Sequence, residues 1–70
     1  MQVKTIAEIG QAVKAARKAQ GLTQRDLSLA SGVCHRLIIG LENGTRAVRI
    51  DNVLKICAML GLSMEIKKNI

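Results

Sequence analysis

The chain has 70 residues, no proline and no aromatic ring, and 11 Lys and Arg against 5 Asp and Glu, which bounds it to one small basic domain with an aliphatic core. A net charge of +6 and a pI of about 10.0 favour a polyanionic partner, either nucleic acid or a membrane surface. Two cysteines are too few for a disulfide framework, and one histidine without a phosphate loop or clustered carboxylates leaves nothing to assemble a catalytic site.

The first element begins near Ile6. Ile6, Ile9, Val13 and Ala16, with Ala12 alongside, recur at helical spacing, and Lys14, Arg17 and Lys18 lie off that stripe. Gly21 is placed to end this helix. In "LTQRDLSLASG", Thr23 followed three residues later by Asp26 is a capping-type start, with Leu27 and Ala30 expected to face inward and Gly32 to stop the helix.

The third element, "GVCHRLIIGLENG", is bracketed by glycines. Val33, Leu37 and Leu41 share one face with Ile38 beside them, which predicts a core stripe. His35, Arg36, Ile39, Gly40 and Asn43 fall on the other side. A surface helix held only by structure more often carries Glu, Lys and Gln there. An Arg can fork to guanine O6 and N7, an aliphatic chain can sit on a thymine methyl, and Gly40 costs about 1 kcal/mol relative to Ala inside a helix. That face is expected to meet duplex DNA. After the loop "TRAVR", the residues Ile50, Val53, Leu54, Cys57 and Leu60 predict a fourth helix ended by Gly61.

The last segment, "LSMEIKK", alternates with period two and reads as a strand over about 63–67. A lone strand cannot stand unpaired in water. Pairing Leu62, Ser63, Met64, Glu65 and Ile66 with the same segment of a second copy meets that need, and a hairpin with "QVKT" near Val3 is the competing arrangement. A Cys34–His35 dipeptide lacks the further ligands that a structural zinc needs. No membrane span or signal-peptide core is evident, so a cytoplasmic, nucleoid-associated protein without a metal or cofactor is expected. Base stacking by a single-strand or RNA binder needs aromatic rings, and there are none.

The stretch "GLTQRDLSLASGVCHRLIIGLENG" resembles the helix-turn-helix of the Cro and phage-repressor type, the XRE family. The resemblance is carried by Gly21-Leu22-Thr23-Gln24, Leu27-x-x-Ala30-x-Gly32-Val33, Ile38 and Leu41-Glu42-Asn43-Gly44. The tail "VRIDNVLKICAMLGLSMEI" resembles the narrower group of HipB-like antitoxins. The fold this implies is mostly α: a compact four- to five-helix repressor-type domain filling residues 1–70, with the helix-turn-helix at about 23–42 and a short C-terminal β-strand pairing across a dimer.

The resemblance implies base contacts from His35, Arg36, Ile39 and Gly40, although Gly40 stands where relatives carry a base-contacting side chain and Ile39 where they carry a polar one. It implies phosphate contacts from Thr23, Gln24, Arg25, Asn43, Thr45, Arg46 and Arg49, with Gln24 also bracing the recognition helix, and a structural ion pair between Arg17 and Glu42. It further implies a homodimer on a palindromic operator, repression of its own promoter, and a HipA-type kinase toxin as partner. A plain repressor without a toxin and a protein-binding adaptor built on the same scaffold are the competing functions.

Overall fold

The computed structural model describes residues 5–45 and 48–63, which form four helices: α1 (Ile6–Ala19), α2 (Gln24–Ser31), α3 (His35–Asn43) and α4 (Ile50–Met59). The core of the expected strand, Met64 to Ile66, and the residues around Val3 proposed as its alternative partner lie outside the described residues. No described helix is long and apolar enough to cross a membrane.

Side-chain caps open α1 and α2. Thr5 Oγ1 accepts the Glu8 amide at 3.2 Å and opens α1. α2 opens with a reciprocal pair: the Asp26 amide donates to Thr23 Oγ1 at 3.0 Å, and the Thr23 amide donates to Asp26 Oδ2 at 2.9 Å. These bonds satisfy two amides that a helix start otherwise leaves without partners. They also favour the ionised Asp26, whose pKa is held below its usual value, chiefly by the Thr23 backbone amide. A depressed carboxyl pKa stabilises the fold above its unfolded value and loses that contribution as pH falls through the folded one. Thr23→Ala is therefore expected to cost about 1 kcal/mol by urea titration near neutral pH. The gap from wild type should narrow as pH falls through the depressed Asp26 value, and only slightly, because the Thr23 backbone amide, the larger cause, survives the substitution.

Three helices end with the same closure. At the end of α3 the Gly44 amide donates to the Leu41 carbonyl at 3.1 Å and the Thr45 amide to the Gly40 carbonyl, also at 3.1 Å. Gly44 has a φ of 68°, which a residue without Cβ adopts at little cost. The matching bonds from Gly21 and Leu22 close α1, and those from Gly61 and Leu62 close α4.

One aliphatic core joins the helices. Val13 of α1, Leu27 of α2, Val33, Ile38 and Leu41 around α3, and Val53, Ile56, Cys57 and Leu60 around α4 are all buried. Ile9, Ala16, Leu22, Leu37, Val48 and Leu62 pack at its margin. α3 lies against α1 and α2, and α2 against α4. Gln20 Nε2 donates to the Leu60 carbonyl at 2.9 Å and ties the ends of α1 and α4. Burial also pushes the Cys57 thiol pKa up, which keeps that sulfur protonated.

Five core positions depart from the sequence expectation. Ala30, Ile6, Ile50 and Leu54 are exposed, and Ile56, absent from the predicted stripe, is fully buried. In α4 two neighbouring apolar rows satisfy the helical period. The row through Val53, Ile56, Cys57 and Leu60 goes inward, while Ile50, Leu54 and Ala58 remain open.

Candidate nucleic-acid interface

The geometry between α2 and α3 is set by serines as much as by Gly32. Ser28 Oγ donates to the Val33 carbonyl at 2.6 Å, and Ser31 Oγ donates to the Leu27 carbonyl at 2.7 Å while accepting the Val33 amide at 3.2 Å. Gly32 supplies the left-handed turn, with φ at 74°. The chain therefore leaves α2 and enters α3 in one fixed direction, with its backbone groups satisfied by neighbouring hydroxyls.

A polar knot holds the other end of α3. Arg17 Nε lies 2.8 Å from Glu42 Oε2, and a second guanidinium nitrogen donates to Glu42 Oε1 at 2.9 Å. The third nitrogen donates to the Leu22 carbonyl at 2.8 Å. Gln24 Nε2 completes the set with a bond to Glu42 Oε1 at 3.2 Å. Arg17 is 7% exposed and Glu42 1%. Burial at this depth is tolerable because the fork is bidentate and every remaining polar atom is met. Among the described residues no buried side-chain nitrogen or oxygen lacks a partner. The hydrogen bonds to Glu42 raise the Arg17 pKa against the opposing effect of desolvation. The Gln24 bond is the brace on α3 that the family resemblance implies, whereas the Leu22 bond has no signature in sequence spacing.

A backbone contact fixes the same junction. A Cβ on Gly10 would overlap the Leu41 carbonyl oxygen and sit 3.0 Å from Leu41 C and 3.2 Å from Glu42 Cα. α1 crosses α3 with no side chain between them at that point.

These constraints leave a defined surface open. Arg36, Ile39 and Asn43 are the exposed residues of α3, His35 and Leu37 are half-buried, and Cys34 is exposed at the helix start. Thr23 and Arg25 are exposed at the start of α2, and Gln24 beside them is half-buried by its bond to Glu42. Thr45 is exposed just past α3. Arg49 is exposed and makes a loose surface pair with Asp51, Nε to Oδ1 at 3.4 Å. Arg46 lies outside the described residues. Gly40 is buried, so α3 does not present it as a bare backbone position. Leu62, assigned from sequence to a dimer contact, leans on this chain's own core, and Ser63 is exposed. No group of three His, Cys, Asp or Glu able to hold a metal occurs among the described residues.

Arg36 and Asn43 carry hydrogen-bonding tips with no side-chain partner among the described residues, and Ile39 lies between them. The surface therefore combines a guanidinium fork, an amide and an aliphatic chain on one helix, flanked by cationic and amide groups at the start of α2. Such an arrangement suits base edges in a major groove with phosphates on either side.

Comparison with known proteins agrees. The family model described as Helix-turn-helix matches residues 13–67. An uncharacterized HTH-type transcriptional regulator, y4mF, from Sinorhizobium fredii is 40% identical over 65 residues, covering 93% of this chain and 86% of the relative. The restriction-modification controller protein C.AhdI from Aeromonas hydrophila superposes with a TM-score of 0.75 at 33% identity, over 83% of this chain and 88% of its own. A chain of a HipA-HipB-O2-O3 complex gives a TM-score of 0.83 at 25% identity, over 97% of this chain and 96% of its own. With its capped α2, fixed turn and open α3, the chain belongs to the XRE-type helix-turn-helix family of transcriptional regulators.

Proposed function

We propose that this protein is a sequence-specific duplex-DNA repressor that binds a palindromic operator as a homodimer and represses its own promoter. The observation that carries the reading is the strip of Arg36, Ile39 and Asn43, exposed on a helix whose opposite side is locked into the core. His35 reaches a base or phosphate at the start of α3. Thr23, Gln24, Arg25, Asn43, Thr45, Arg46 and Arg49 contact the backbone around it.

The apolar row Ile50, Leu54 and Ala58 supports assembly. Ile50 is 61% and Leu54 51% exposed. An apolar row left open in this way is a surface that a twofold contact would cover. A twofold dimer sets two recognition helices about 34 Å apart, one turn of DNA.

The finer reading is an antitoxin whose partner is a HipA-type kinase. Its support is the fit to a chain of the HipA-HipB-O2-O3 complex over nearly the whole of both chains. The higher identity to the controller C.AhdI favours a plain repressor as the second reading.

Recovery of the tagged protein from its host at low and high salt, with DNA sequenced and proteins identified, tests these readings together. Its own promoter should be enriched at low salt and lost at high salt, because phosphate neutralisation releases counterions. Arg36→Ala should weaken operator binding by about 1–3 kcal/mol, roughly 5- to 150-fold, measured by fluorescence anisotropy. A kinase-like protein retained at high salt supports the antitoxin. Protein partners without enriched DNA would replace the repressor by an adaptor.

A further inference from the structure

The exposed strip of α3 has an unusual centre. Arg36, Ile39 and Asn43 are spaced i, i+3 and i+7, so their side chains follow one another along a single face. Ile39 is the apolar member and is 36% exposed. Its chain neighbour Gly40 is buried and has no side chain, and Glu42 is turned away into the ion pair with Arg17. Neither of these two residues covers Ile39. A single exposed aliphatic residue is ordinary on a protein surface. This one stands between two side chains with hydrogen-bonding tips, on the face that would enter the groove.

An aliphatic chain has one apolar target on the major-groove edge of a base pair, the C5-methyl group of a pyrimidine. Helical rise places Ile39 about 4.5 Å beyond Arg36 along the helix axis. Stacked bases advance about 3.4 Å per step. With Arg36 forked onto a guanine, Ile39 then reaches the next base pair or the one after it.

We propose that Ile39 recognises a pyrimidine C5-methyl group one or two base pairs from the guanine read by Arg36. The operator then carries thymine at that position, and 5-methylcytosine is accepted there because it presents the same methyl. This inference rests on α3 being the DNA-reading helix and adds what that helix demands of the base.

The test uses the full-length protein and the duplex enriched from its host, at one fixed salt concentration. Thymines of the half-site are replaced by deoxyuridine one at a time, which removes only the methyl. At one position affinity should fall about 4-fold, the value of one methyl withdrawn from an apolar contact, and about 16-fold when both half-sites are changed. Ile39→Ala should bind more weakly than wild type and be indifferent to uracil at that position. Cytosine paired with guanine there should weaken wild-type binding, and 5-methylcytosine should recover about 4-fold of the loss. Equal binding of thymine and 5-methylcytosine assigns the methyl as the whole signal, while tighter thymine binding assigns thymine as the natural source. Failure of 5-methylcytosine to recover any affinity overturns the acceptance of a methylated base. Uracil tolerated at every position, or a uracil penalty unchanged in Ile39→Ala, overturns the inference itself. Arg36→Ala in the same assay separates the two levels. If it abolishes binding while uracil is tolerated, only the methyl contact is lost; if no duplex is enriched at all, the DNA-reading role falls with it. Far-ultraviolet circular dichroism of Ile39→Ala confirms that the fold is kept.

Discussion

Arg17→Met is expected to destabilise the protein by about 3–5 kcal/mol, because it strands the Glu42 carboxylate in a site without a cation. Glu42 would keep only the Gln24 amide, and the Leu22 carbonyl would lose its guanidinium donor. A domain of this size has a total stability of roughly 5 kcal/mol, so the variant should be partly unfolded at ambient temperature. The double variant Arg17→Met/Glu42→Leu should regain much of the loss, since replacing a buried ion pair by apolar groups is often near neutral. Urea unfolding followed by far-ultraviolet circular dichroism measures both, the chain having no aromatic fluorophore. A single-variant loss below about 1 kcal/mol, the range of surface pairs, would show that the pair does not hold α1 to α3.

Gly10→Ala is the second large effect, and its sign is opposite to helix propensity. In an exposed helix the change stabilises by about 1 kcal/mol. Here the added methyl would meet the carbonyl oxygen and carbon of Leu41 and the Cα of Glu42, all backbone atoms that cannot rotate aside. α1 must shift outward, and the shift loosens the Arg17 fork two turns along the same helix. A loss of about 3 kcal/mol is expected, the upper part of the overpacking range, with Tm lower by roughly 15 °C. Gln11→Ala, on the exposed side of α1, is the control and should change stability by less than about 0.5 kcal/mol. Equal stability of the two variants would mean that α1 and α3 do not approach as closely as the structure has them.

The contrast between these positions shows what the sequence could and could not reveal. The ends of α1, α2, α3 and α4 were legible because they depend on local chemistry: Thr23 with Asp26, and glycines placed one residue past each helical stripe. The core of α3 was legible because Val33, Ile38 and Leu41 satisfy one helical face. Leu54 and Ile56 were misassigned because α4 carries two apolar rows, and periodicity does not say which of them another helix will cover. Helical period puts Gly40 one turn past Arg36 and does not show that it is buried. The meeting of Gly10 with Leu41 depends on a crossing of two helices that no spacing rule encodes. The pairing of Arg17 with Glu42 and the bracing of α3 by Gln24 followed from family resemblance, whereas the bond to Leu22 emerged only from the folded geometry.

The polar knot and the exposed strip share α3 but not their residues. Arg17, Glu42, Gly10 and the serines of the turn fix where the helix lies, whereas the side chains of Arg36, Ile39 and Asn43 make no hydrogen bond or ion pair among the described residues that holds it there. Substitutions at those three exposed positions should leave the scaffold nearly untouched, as surface changes away from caps and cores usually do. Inheritance can then alter what such a protein recognises in a few mutational steps, without passing through an unfolded ancestor. Duplicated copies could drift toward separate targets while keeping one architecture.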